Sequence, residues 1–416
     1  MKWYNKLQFI TMILAVAGVA IDWRFGLWMS VLFSWASLIA LVAQIVVERR
    51  AYNIALRAPL RWGLFAMIAY WLMLLASVLY SADLSAATKV LNLKCTLLFF
   101  PLAALLTNTS WLTTKHLRAL GYAMVLGLLG LFLYDCGIAV GKMANGATLA
   151  SVTRIEFDAR HHTYTAAYLA IALLFIYHEL YTRWKELPRW WRTLLLVTSA
   201  LFILFTIIVN SRAGMLVLYA IEAFCILHFA VTRRRWGWAA LLAVLLAGYT
   251  LGMEKALPGH QERVAQTVSD VTSDVRLKIY KNDLDVSMGS PVVGYGAGDY
   301  IQHLDDNYAS KGMNYHYNAH NQYLETMLSI GVIGLALFLV WLLWPLLIAW
   351  LGLRRGNVSA PVFWFVFMAT FCVAFNFLFE SMLERQMGLL FVGPLMSIIT
   401  LIISNEQNKF GQLPKK

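Results

Sequence analysis

Along its 416 residues the chain returns again and again to apolar stretches long enough for a helix to cross a bilayer, with short charged breaks between them. Crossing a hydrocarbon core roughly 30 Å thick takes about 20 mainly apolar residues. The repetition of that length makes the bilayer the solvent. Composition agrees: 60% of the residues are hydrophobic, 13% are charged and the mean hydropathy is +0.64, more apolar surface than a soluble core can use. Strands are excluded by pattern, because a transmembrane strand alternates over roughly ten residues, whereas Leu194 to Val209 is apolar on every side. The expected fold class is therefore an all-α integral membrane protein of about twelve spans.

The spacing places these spans near residues 7–21, 25–47, 62–80, 89–107, 119–141, 161–178, 194–210, 213–231, 237–252, 320–350, 361–380 and 387–403. This predicts nine transmembrane helices in 1–252, one large extracytoplasmic loop with helices over 253–319, three further spans over 320–403 and a cytoplasmic tail at 404–416. Short cytoplasmic loops carry an excess of Lys and Arg. With both termini inside, the inner segments hold Lys2 and Lys6; Arg49, Arg50, Arg57 and Arg61; Lys115 and Arg118; Arg183, Lys185, Arg189 and Arg192; Arg233 to Arg235; Arg354 and Arg355; and Lys409, Lys415 and Lys416, well over half of the 34 basic residues. Lys2 and Lys6 before the run Leu7 to Ala20 also read as a signal peptide, but removing it would leave an odd number of spans.

A pI near 9.5 and a net charge of +12 suggest nucleic acid at first sight, yet the charge is dispersed and its longest run is Arg233 to Arg235. No nucleic-acid partner is expected. Cys95, Cys136, Cys225 and Cys372 all fall in predicted spans without CxxC spacing, so neither a disulfide framework nor a zinc site is indicated.

Chemistry is expected in the large loop and the helix ends beside it. Val264, Val268, Val271, Val275 and Ile279 recur at helical spacing and suggest a helix over the membrane mouth, with Arg276 one residue off the apolar line. Gly289, Pro291, Gly294, Gly296 and Gly298 then make a turn-rich link, and the loop closes with His316, His320 and Asn321 before the apolar helix from Tyr323.

Three segments taken together resemble a known family. They are Asn210-Ser211-Arg212-Ala213-Gly214 at a span end; Asp274-Val275-Arg276-Leu277 ahead of the stretch from Ser290 to Gly298; and His320-Asn321-Gln322-Tyr323-Leu324-Glu325 leading into Gly331 to Leu335. In this order, with a large loop between the last spans, they are similar to the O-antigen ligase and polymerase family of bacterial envelope glycosyltransferases, most of all the ligase. The resemblance implies a GT-C-like membrane glycosyltransferase working without a metal ion or other cofactor. Its donor would be a glycan on undecaprenyl diphosphate, its acceptor lipid A–core, and its site would face the periplasm from a bacterial inner membrane.

The residues make chemical sense of that expectation. A glycosyl diphosphate is already activated, so the enzyme must orient two lipid-anchored substrates, offset charge on the departing diphosphate and accept the attacking hydroxyl's proton. Arginine offers phosphate a planar fork and a permanent charge, which points to Arg212 and Arg276 as diphosphate ligands. Arg212 interrupts apolar sequence, where an arginine at mid-bilayer costs about 2.5–3.5 kcal/mol, so a bend or polar cavity must receive it. A snorkelling arginine at an ordinary helix junction would read the same way. For Arg276 the plain alternative is a solvated loop residue paired with Asp274 or Asp283.

His320 is the candidate general base, since imidazole titrates near neutral pH. A capping histidine is the plain alternative, and a metal site of His316, His320 and Glu325 is a rival. Arg154, Arg160, His161 and His162, after the fifth span, are secondary candidates for phosphate or sugar. Glu380, Glu384 and Arg385 crowd a tight turn, where they would bind acceptor sugars or pair with one another. Lys89 and Lys94 would meet diphosphate or lipid headgroups, and Trp3, Trp23, Trp28, Trp190 and Trp191 read as an interfacial belt. Two alternatives stay open: a polymerase using the same donor, and a transporter or flippase of a lipid-linked or anionic solute. A transporter would hold its ionisable residues near the midplane between inverted repeats, whereas here they gather toward one face.

Overall fold

The computed structural model describes residues 1–47, 56, 58–107, 111–148, 162–209, 211–256, 275–312 and 318–411. Among these residues the secondary structure is helical. The helices are α1 (Trp3–Ile21), α2 (Trp23–Val46), α3 (Ala58–Ser77), α4 (Leu84–Leu93), α5 (Thr96–Leu106), α6 (Thr114–Ala144), α7 (His162–Arg183), α8 (Arg189–Val209), α9 (Arg212–Arg233), α10 (Trp236–Ala256), α11 (Val275–Ser287), α12 (Tyr300–Ser310), α13 (Gln322–Arg354), α14 (Ala360–Phe379) and α15 (Gln386–Gly411), with a 3-10 turn at Met382–Glu384. Twelve segments among the described residues are long and apolar enough to cross a membrane, α4 and α5 counting together as Leu84–Leu106.

Sequence spacing misjudged individual spans in instructive ways. The fourth, expected near 89–107, starts at Leu84, because Asp83 caps α4 by accepting the Ala86 N–H at 2.8 Å. It is also broken at Lys94. The last, expected to end near 403, continues as helix to Gly411. Of the valine stripe expected over the loop, Val264, Val268 and Val271 lie outside the described residues; α11 begins at Val275 and buries Ile279.

The chain divides into two compact units. One comprises Met1–Ala123, Val275–Thr370 and Phe377–Lys416. Within it α1 pairs with α2, α3 lies along α13, and α15 packs on α5 and α2. Above the helix ends sits a small polar-capped layer, in which Ile279, Val286, Tyr300, Leu304, Tyr308 and Leu328 form a common core. Burying each of these side chains is worth about 1.5–3 kcal/mol, enough to hold two short helices on the bundle.

The other unit comprises Met124–Asp274 and Phe371–Asn376. Its centre is α7, whose apolar window is 89% buried, against only 11% for α10. Small residues explain the contrast, since Ala166, Ala167, Ala170 and Ala172 let α8 and α9 approach α7 closely.

Candidate active site

His320 lies just ahead of the membrane helix α13, which begins at Gln322, in keeping with its place before the apolar run from Tyr323. Its φ is +45°, in the left-handed region that a side chain with a Cβ enters at a cost. Asn321 follows as N-cap of α13, its Oδ1 accepting from Tyr323 N at 2.9 Å and Leu324 N at 3.1 Å. The left-handed residue thus turns the chain just before the helix starts.

Neighbours hold this turn in place. The Tyr280 hydroxyl donates to the Leu378 carbonyl at 2.7 Å and lies 3.2 Å from the His320 carbonyl. Asn321 Nδ2 donates to the same Leu378 carbonyl at 3.3 Å, and Gln322 Oε1 accepts from Leu383 N at 2.7 Å. The segment 378–383 is thereby bolted to the first turn of α13. It brings the Glu380 carboxylate, 5% exposed as a residue, to 3.7 Å from His320 Nδ1. That separation is beyond a hydrogen bond but well within electrostatic reach.

Below His320 lies a charged group that apolar periodicity cannot reveal. Lys94, fully buried at the break between α4 and α5, sits 2.7 Å from Glu325 on α13 and 2.9 Å from Glu384 in the 3-10 turn. Burial works against the charge of Glu384, yet the Lys94 ammonium, with help from Glu325 and the Tyr300 phenol, holds its carboxyl well below the usual carboxylate range. Burial, then the two carboxylates, push the Tyr300 phenol up, so it stays protonated. Lys94 therefore is not placed to meet headgroups or diphosphate, and Glu384 is engaged in this pair; Lys89 alone of the two lysines is exposed. The rival metal set loses Glu325 to the same ion pair, and His316 lies outside the described residues.

The segment leading to the site is equally fixed. Asp299 accepts from Ala82 N at 2.6 Å and Asp83 N at 2.9 Å, while Ser77 and Ser81 accept from Ala297 N and Gly298 N. On α11, Asp283 is fully buried beside Tyr308, and burial pushes its carboxyl up to about 8.

The other sequence candidates fall as follows. Arg276 is the second residue of α11; its side chain lies outside the described atoms. Arg212 belongs to the second unit, exposed as the first residue of α9, with Ser211 capping the helix through Gly214 N at 3.2 Å. Helix α8 ends at Val209 and α9 begins at Arg212, so Arg212 stands at a helix boundary. His162 opens α7 half-buried, Arg385 is exposed after the 3-10 turn, and Arg154, Arg160 and His161 lie outside the described residues.

The order Arg212, Arg276, His320 falls inside one matched region. Residues 197–339 match the O-antigen ligase family model. The match takes in α9, α11, α12 and the start of α13, and leaves Lys94, Glu380 and Glu384 outside it. It supports a glycan-transferring function for a membrane protein of this topology. No curated protein matches the chain.

Proposed function

We propose that the chain is a GT-C-like membrane glycosyltransferase that moves O-antigen polysaccharide from undecaprenyl diphosphate to lipid A–core at the periplasmic face of a bacterial inner membrane, without a metal ion. The observation that carries this reading is that Arg212, Arg276 and His320 all fall within the residues matched to the O-antigen ligase family. The distribution of Lys and Arg puts the 253–319 loop on the periplasmic side, with both termini in the cytoplasm.

In this reading the acceptor hydroxyl oxygen bonds to the anomeric carbon as the bond from that carbon to the diphosphate oxygen breaks, its electron pair leaving with the diphosphate. Arg212 and Arg276 offset the charge that gathers there. The hydroxyl proton passes to His320. Glu380, 3.7 Å from Nδ1, favours the tautomer protonated at Nδ1, which makes Nε2 the accepting nitrogen, and stabilises the imidazolium once formed. In this reading Glu380 acts as a positioning residue, and Arg385, Arg154, Arg160 and His162 are the candidates for phosphate or sugar contact.

The test is to delete the gene and run the envelope lipopolysaccharide on a gel. A ligase deletion leaves core without repeats; core carrying one repeat would make the protein the polymerase, and an unchanged ladder would overturn the reading. In purified protein, Arg212→Ala and Arg276→Ala should weaken donor binding, with Lys rescuing only in part. His320→Ala should keep donor binding and lower turnover about 10²–10⁴-fold. Transfer should persist in excess chelator.

A further inference from the structure

Between α11 and α12 the chain leaves the polar layer and pairs with the interior of a membrane span. Near its N-terminal end α13 is interrupted at Ile330 and Gly331, which have non-helical backbone. The groups freed by the interruption are taken by the segment 291–296. Tyr295 N donates to the Leu328 carbonyl at 2.8 Å and Gly296 N to the Ser329 carbonyl at 2.9 Å, while Val332 N donates to the Pro291 carbonyl at 2.8 Å. Irregular backbone at membrane depth is tolerated where its polar groups are satisfied in this way.

The depth follows from the sequence of α13. Gln322, Glu325, Thr326 and Ser329 precede the interruption, and from Val332 to Leu353 no charged or hydroxyl-bearing residue occurs. At 1.5 Å per residue that stretch measures about 33 Å, enough to cross the hydrocarbon core with a modest tilt. Val332 and Ile333 therefore stand at its edge, and Pro291 and Val292, bonded to them through the backbone, stand at the same height.

At that height the surface is apolar and uncovered. Val292 is 55% exposed and Val293 43%, continuous with Val332 and Ile333 on the outward side of α13. Leu277, Leu284 and Met288 extend the patch, at 64%, 50% and 64% exposure; Leu277 and Leu284 lie in one line along α11, opposite the buried Ile279 and Val286, and Met288 continues it just past the helix end, its N–H donating to the Leu284 carbonyl at 3.2 Å. Leu79 is 90% exposed in the turn after α3, and the Tyr80 hydroxyl next to it donates to the Val293 carbonyl at 2.7 Å. Lys281 lies within the line and Lys278 on its flank, both exposed, where long cationic stems reach headgroup phosphates.

We propose that the outward face of α11 and the turn Pro291–Val293 are immersed in the adjacent leaflet, forming a membrane-embedded shoulder rather than a water-facing part of the extramembrane layer. Lipid is the occupant that the continuity with the lipid-facing side of α13 selects.

The test measures depth and needs no transfer activity, so it fails independently of the proposed reaction. Single spin labels are placed at Leu284, Met288 and Val292 in a background lacking the four native cysteines, with Ile333 as lipid reference and Asp306 as water reference, and the protein is held in lipid nanodiscs. Labels at 288 and 292 should collide with oxygen in preference to an aqueous nickel chelate, as at 333. Collision ratios equal to those at 306 would overturn the proposal. Should the cysteine-free protein not fold, the unaltered chain in nanodiscs with diazirine-bearing lipid tails serves instead. Adducts on the peptide carrying Met288 and Val292 support immersion, and adducts confined to the spans refute it.

Discussion

Two membrane spans are interrupted in the first unit, and they deal with the interruption differently. The span Leu84–Leu106 breaks at Lys94 but satisfies its own backbone locally, with Leu97 N donating to Lys94 O and Leu98 N to Cys95 O, each at 3.0 Å. What it cannot satisfy alone is the buried ammonium, which recruits Glu325 and Glu384. The span Gln322–Arg354 breaks at Ile330–Gly331 with no charge at the break, and there the backbone itself needs a partner, the segment 291–296. One break is thus held by side-chain charge and the other by backbone pairing. Both join distant parts of the chain around the turn that carries His320.

The sharpest way to break the comparison is to remove the ammonium. Lys94→Met leaves two carboxylates buried against each other, and losing one side of a buried ion pair costs about 3–5 kcal/mol. We expect a steep loss of folded protein and of thermal stability in detergent, with Glu325→Gln or Glu384→Gln milder because one carboxylate still faces Lys94. Stability unchanged in Lys94→Met would mean the ion pair does not hold the 380–384 turn.

The second break is tested at Gly331. Its φ of +66° is open to glycine, and a Cβ there would stand 2.1 Å from the Val292 carbonyl oxygen. Gly331→Ala should cost on the order of 1–3 kcal/mol and detach the 291–293 segment. Gly248→Ala, where nothing lies within 4 Å, is the control and should be neutral or better by about 1 kcal/mol. Hydrogen exchange at Val332 N separates the two outcomes, fast in Gly331→Ala and slow in the control.

A smaller effect belongs to Asp283, which supports α11 and hence the partner segment. Its folded pKa, raised by burial to about 8, lies above the unfolded value near 3.9. Its contribution is therefore fully present below pH ~3.9, declines as pH rises and is lost beyond about pH 8. Thermal stability of the wild type should fall between pH 5 and pH 9, and Asp283→Asn should flatten that fall. Equal slopes in the two proteins would place the pH dependence in another group.

Most of the architecture was legible because membrane helices obey length and hydropathy, two properties a linear sequence displays directly. The count of spans and the helix boundary at Arg212 could be read that way. His320 and Asn321 stood out because polar residues beside an apolar run are conspicuous. The role of Lys94 was misread for the same reason: a lysine near a span end looks like a headgroup ligand until its partners, more than 200 residues away, are placed. The charges of Glu380, Glu384 and Arg385 were visible as a crowd, but that the Glu380 carboxylate faces His320 and that of Glu384 faces Lys94 was not.

The sequence by itself determined that this chain lives in a bilayer as helices, because hydrocarbon leaves backbone groups no water to bond and long runs that are apolar on every side suit helices, not strands of a barrel. It also determined where arginine and histidine punctuate those helices. Only the tertiary structure decided which charges are neutralised inside the bundle, and that the segment 291–296 completes an interrupted span. Those outcomes depend on pairs of groups remote in the chain, whose Coulomb and hydrogen-bond energies count only at separations of about 3–4 Å, and no local pattern encodes such a separation.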